Sequence, residues 1–139
     1  MTHSQSLTSK LFWWIPFGKV PEIAPTELAE KMNNPAFCPQ LLDVRSHKEW
    51  KNGHLSGAVS IPITQLRSKI DTLSFSQEKP VVTICLSAHR SIPAVRLLQR
   101  HGYQNVVQLA GGMNAWRHLK LPEQMGGVIR CRGNPLWLP

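Results

Sequence analysis

The residues best placed for chemistry are Cys85 and Arg90, in the stretch VVTICLSAHRS that runs from 81 to 91. A β-branched apolar run ends at the cysteine, the arginine follows a short loop, and a helix is predicted to begin at Ser91. In a parallel α/β sheet, ligands bind beyond the carboxyl ends of strands. A helix starting just after the loop brings free backbone N–H groups and the positive end of its dipole, both favourable to an anion. A thiolate is such an anion, and helix N-termini and nearby cations favour it. Arg90 adds a fixed charge and a fork of donors suited to a doubly bonded oxyanion. The pattern predicts a thiolate nucleophile, Cys85, in a small anion cradle whose donors are Ser87, Ser91 and the loop amides. His89 would add charge or steer a substrate, or else face solvent. The competing reading is a buried strand cysteine that acts as a small hydrophobe. The strand end, the arginine and the helix start together favour the reactive site.

The other two cysteines lack such surroundings. Cys38 lies between Phe37 and Pro39 and reads as structural, and Cys131 sits in an irregular tail between Arg130 and Arg132. Three cysteines far apart, with no Cys-x-x-Cys, argue against a disulfide framework and against a zinc site. They suit a reducing compartment, so a cytoplasmic protein is expected.

The elements that must position Cys85 alternate along the chain. GKVPEIAP reads as a short extended piece, and ELAEKM as a helix that Thr26 could cap. QLLDV, 40–44, is a buried strand candidate. Ser46, Glu49 and Gly53 form a capping box and a helix stop. GAVSIP is a strand, and TQLRSKIDTL has Leu66, Ile70 and Leu73 at helical spacing. PVVTICL leads into SIPAVRLLQRHG, where Ser91 reads as an N-cap, Pro93 falls in the first turn and Gly102 closes the helix. NVVQLAGG is a last strand, followed by a short helix, MNAWRHLK, that Asn114 could cap. Strands alternating with helices predict a parallel sheet covered by helices on both faces.

The whole chain has 139 residues, 42% hydrophobic and 17% charged, the composition of an ordinary globular domain. Its formal net charge of +8 would attract small anions or an acidic surface. The basic residues form no block, and no zinc-finger spacing or aromatic-plus-basic pattern points to nucleic acid. The segment LFWWIPFG, 11–18, is too short to cross a bilayer, which takes about 20 apolar residues. Trp13, Trp14 and Phe17 are expected to pack on the domain or a partner protein, with a membrane-surface contact as the sharper alternative. The expected organisation is an aromatic arm over 1–19, one domain over 20–121 and a tail over 122–139.

Three separate stretches resemble one family. LLDVRSHKEWKNGHLSGAVSIP, 41–62, is similar to the first signature of the rhodanese-like sulfurtransferases, through Asp43, Val44, Arg45, Glu49, Gly53, His54, Gly57, Ala58, Ile61 and Pro62. GYQNVVQLAGGMNAW, 102–116, is similar to the second, with Gly111, Gly112, Ala115 and Trp116 in place. CLSAHRS lies between them, where that family keeps its catalytic cysteine. The resemblance implies a rhodanese-like α/β fold, a central five-stranded parallel sheet with helices on both faces. It implies sulfane-sulfur transfer through a persulfide on Cys85, with no metal or organic cofactor. A small anionic donor such as thiosulfate would be bound by Leu86, Ser87, Ala88, His89, Arg90 and Ser91, supported by Asp43 and Arg45. Cyanide, a small thiol or a protein thiol would take the sulfur. Arg45 and Glu49 are expected to pair, His54 to bond a loop backbone, and Trp116 to fill the core. Many loops of this type carry glycine where this chain has Ala88, and a methyl there disfavours a positive φ.

Two other functions compete. A phosphatase or arsenate reductase of the same fold resembles Cys-x5-Arg, whereas Cys85 to Arg90 is the shorter Cys-x4-Arg. A binding module using the fold as a platform would not need the cysteine that this chain keeps.

Overall fold

The computed structural model describes residues 18–37 and 39–126. Cys38, Cys131 and the aromatic arm with Trp13, Trp14 and Phe17 lie outside the described residues.

The predicted alternation folds as one parallel sheet. Strand β1 (Glu22–Ile23) is followed by helix α1 (Pro25–Asn33), β2 (Gln40–Asp43), α2 (His47–Lys51) and β3 (Val59–Ser60). Then come α3 (Ile63–Lys69), which runs on into a 3-10 turn over Ile70–Thr72, β4 (Val81–Ile84), α4 (Ser91–Arg100), β5 (Val106–Leu109) and α5 (Gly112–His118). The five strands lie in the order β1-β5-β4-β2-β3, and all the pairings are parallel. Strand β4 is central, and Val81, Val82, Thr83 and Ile84 are all buried. A β-branched run apolar on both faces is what a parallel strand between two helical layers requires.

Alternation along the strands divides the core in two. Leu42, Val81 and Cys85 pack with Leu66 of α3 and with Ala94, Val95 and Leu98 of α4. Leu41, Val82, Ile84 and Leu109 face the other way and pack with Leu28 of α1 and with Met113 and Trp116 of α5. Trp116 is 1% exposed, as expected of a core aromatic, and its indole N–H finds the Pro122 carbonyl at 3.1 Å.

Three caps differ from expectation. Helix α1 starts one residue before Thr26, with Ala24 at the cap and a proline in the first turn. Proline is pre-organised there and its missing N–H is no loss, so no side-chain cap is needed. Ser91 is the first residue inside α4, not its cap, which is Arg90. Asn114 lies within α5, whose cap is Gly111 at φ 71°. The Ser46–Glu49 capping box forms as predicted at the start of α2.

The β5–α5 turn fixes where α5 meets the sheet. Gly111 and Gly112 both take positive φ, 71° and 60°. A Cβ on Gly112 would fall 2.6 Å from the Leu86 carbonyl and still closer to the Cys85 carbonyl oxygen. Gly112→Ala is expected to destabilise the domain by roughly 2 kcal/mol or more, from backbone strain and overpacking together. Urea denaturation of the two proteins checks this; equal midpoints would show that the turn can yield.

Candidate functional site

Cys85 is the first residue after β4, so its side chain stands at the carboxyl edge of the central strand. Asp43 pairs with Ile84 across the sheet, which puts the end of β2 beside the start of the cysteine loop. The first turn of α5 meets the loop from the other side. Met113 N–H donates to the Cys85 carbonyl at 2.8 Å, and Asn114 N–H to the Leu86 carbonyl at 2.9 Å. In a trans peptide the N–H lies opposite the C=O. Holding these two carbonyls toward α5 therefore turns the Leu86 and Ser87 N–H groups away from it. Among the described residues, no backbone carbonyl accepts from the N–H groups of Ser87, Ala88, His89 or Arg90. These donors can receive an anion.

The Cys85 thiol is 1% exposed and free. Ser91 Oγ lies 3.5 Å from its Sγ, 3.0 Å from the Ala88 carbonyl and 2.8 Å from Gln108 Oε1. Ala88 takes φ 76°. The methyl thus does not deny the loop its left-handed turn; the surrounding structure holds alanine there at a cost of about 1–2 kcal/mol. Ser87 and His89 are exposed, while Leu86 and Arg90 are half-buried. His89 accordingly faces solvent.

The charged residues are arranged differently from expectation. Arg45 does not pair with Glu49. Its Nη2 lies 2.7 Å from Asp43 Oδ2, its Nε 3.0 Å from Asp43 Oδ1, and Nη2 also donates to the Gly53 carbonyl at 2.7 Å. Both partners are at most 1% exposed. Glu49 is bound instead by Arg90, with Nη1–Oε1 at 2.7 Å and Nη2–Oε2 at 2.9 Å. The fork expected to await an anion is thus already engaged by a carboxylate, and Arg90 acts first as a tie between the loop and α2. Its hydrogen bonds to Glu49 raise its pKa; partial burial opposes this, and Cys85 and Asp43 add smaller attractions.

Around α2 the packing is aromatic. Trp50 stacks on His54 at a centroid distance of 4.0 Å and on His47 at 5.3 Å. Its indole donates to the Ala58 carbonyl at 3.0 Å. Instead of the loop backbone expected for His54, its Nδ1 meets a carbonyl of helix α2, that of Trp50, at 2.7 Å. Among the described residues no cluster of histidine, cysteine and carboxylate could hold a metal, and no helix is long and apolar enough to cross a membrane.

Sequence reasoning missed Glu49 as a partner of Arg90 and missed Gln108 and Glu22. The capping box and an expected pair with Arg45 already accounted for Glu49. Gln108 left a usable signal: it is a polar residue in the strand run VVQL and is 4% exposed.

Residues 24–119 match the rhodanese-like domain family. The uncharacterized protein YqhL of Bacillus subtilis is 35% identical over 93 residues, 67% of this chain and 65% of that protein. The adenylyltransferase and sulfurtransferase uba4 of Ogataea parapolymorpha is 35% identical over 79 residues, 57% of this chain and 20% of that protein. The chain thus spans less than two thirds of either relative's length. Thiosulfate sulfurtransferase from Pseudomonas aeruginosa superposes with a TM-score of 0.68 at 26% identity, over 80% of this chain and 20% of that structure.

The Arg90 tie carries an acid dependence. Hydrogen bonds from Arg90 hold the Glu49 carboxyl down to about 2 from 4.5. A lowered carboxyl pKa contributes stability that is complete above about pH 4.5 and lost as pH falls toward 2. The pair is about one-third exposed, so solvent screening keeps this contribution small. Thermal midpoints followed from pH 6 down to pH 2 should fall less steeply in Glu49→Gln than in the wild type. Parallel curves would show that the pair contributes nothing. Arg45→Met leaves Asp43 buried and uncompensated and is expected to cost roughly 3–5 kcal/mol, read from denaturant midpoints.

Proposed function

This chain belongs to the rhodanese-like domain family, and we propose that it is a sulfurtransferase that carries sulfane sulfur as a persulfide on Cys85. The observation that carries the reading is the free thiol at the end of the central strand, beneath a loop whose N–H groups from Ser87 to Arg90 have no backbone acceptor among the described residues. Its resemblance to a thiosulfate sulfurtransferase supports thiosulfate as a test donor. The Cys85 thiolate attacks the outer sulfur of thiosulfate, the S–S bond breaks, and sulfite leaves with the bonding pair. A nucleophile (cyanide, a small thiol or a protein thiol) then attacks the terminal sulfur and restores the Cys85 thiolate. Transfer through a covalent enzyme predicts ping-pong kinetics. The loop amides act as preorganised donors where negative charge gathers on sulfur.

In this reading Asp43 and Arg45 support the site through the backbone, since their pair ties the end of β2 to Gly53 after α2. Arg90 shapes the loop through Glu49 and adds positive potential near Cys85. The domain spans about residues 20–121, and the arm and tail, outside most of the described residues, serve contact with a partner protein or a membrane surface. A cytoplasmic setting suits a free reactive thiol.

Intact mass after incubation with thiosulfate tests this. The wild type should gain one sulfur that a reductant removes, and Cys85→Ala should gain none. A wild type that gains no sulfur from thiosulfate or other sulfane donors, and yields no thiocyanate with cyanide, would make the domain a binding module.

A further inference from the structure

The loop and α5 explain the backbone around Cys85, but a line of polar side chains on the α4 face of the sheet has no part in that explanation. Glu22 and Gln108 are register partners on β1 and β5. Gln108 is 4% exposed, and an amide so buried is costly unless it is hydrogen-bonded. Its Nε2 donates to Glu22 Oε2 at 3.1 Å, and its Oε1 accepts from Ser91 Oγ at 2.8 Å. A carboxylate can only accept. Glu22, exposed at the sheet edge, therefore fixes which way round the buried amide sits.

Ser91 has one hydroxyl proton and three acceptors in reach. Gln108 Oε1 at 2.8 Å and the Ala88 carbonyl at 3.0 Å are both closer than Cys85 Sγ at 3.5 Å. While the proton is directed at Gln108, the sulfur faces an oxygen lone pair instead of a donor. We propose that Gln108, oriented by Glu22, is a positioning residue that sets the direction of the Ser91 hydroxyl and so decides whether the Cys85 sulfur receives a side-chain donor. The inference rests on the reading of Cys85 as the reactive thiol. If the amide is reversed, its N–H group faces Ser91 Oγ, and the serine proton is left for the sulfur or the Ala88 carbonyl. An anionic sulfur gains from that donor. Arg90, paired with Glu49 of α2, interacts electrostatically with Cys85 and with Asp43, which is itself paired with Arg45 at the end of β2.

Glu22→Lys tests this, because an ammonium group can only donate and favours the reversed amide. The measurement is the rate of Cys85 alkylation by iodoacetamide at neutral pH, separated from Cys38 and Cys131 by peptide mass. The four proteins are the full-length wild type, Glu22→Lys, the nearly isosteric Ser91→Ala, and the double variant. Glu22→Lys is expected to accelerate alkylation about three- to tenfold more in the wild-type background than in Ser91→Ala, the worth of one hydrogen bond. Equal acceleration in both backgrounds would show the direct effect of changing a charge and would overturn the proposal; so would no acceleration at all. A merely structural role for Glu22 would not produce non-additivity with Ser91. Thiosulfate loading, measured on the same wild-type protein, reads the sulfur-transfer proposal separately.

Discussion

Two hydrogen bonds at the first turn of α5 govern the geometry of the carboxyl end of the sheet. A helix start leaves backbone donors without partners, and here those of Met113 and Asn114 are satisfied by the carbonyls of Cys85 and Leu86. The contact is so close that only a glycine fits at 112. What α5 gains as a cap, the cysteine loop gains as a direction, because fixing two carbonyls fixes the opposed N–H groups of the next residues. The two conserved requirements of a folded chain, satisfied polar groups and dense packing, thus produce at this point a loop with its donors turned away from its own backbone.

Further ties hold this end of the sheet. Asp43 and Arg45 bind the end of β2 to the segment after α2. Glu49, which caps α2 through Ser46, reaches Arg90 at the far end of the loop. Ser91, at the start of α4, reaches back to the Ala88 carbonyl and the sulfur. Each tie joins a strand end or helix start to its neighbour; β2 and α4 are anchored in the apolar cores, and α2 is held by its buried Trp50.

Much of this was legible in the chain. The β-branched run of β4, the apolar run of β2 and the Ser46–Glu49 box are local signals, and each gave its element. Side-chain partners were harder. Arg45 and Glu49 are four apart, but Arg45 lies before the α2 cap, Ser46, and so outside the helix, where helical spacing does not apply. The partners actually chosen, Glu49 with Arg90 and Glu22 with Gln108, are 41 and 86 residues apart, and only the sheet order brings them together. Serine favours a cap position, and the sequence places Ser91 there. It lies instead one residue further in, where the polar side chain serves the loop and Gln108.

Ala88 carries a consequence for how the loop moves. At φ 76° an alanine has few neighbouring conformations open to it, whereas a glycine has many. The methyl therefore raises the loop's energy while narrowing the set of shapes it samples. It also lowers the conformational entropy of the unfolded chain relative to glycine, which offsets part of the strain. A loop held this way is ordered on its own, so less freedom would be lost by any ligand bound at its amides.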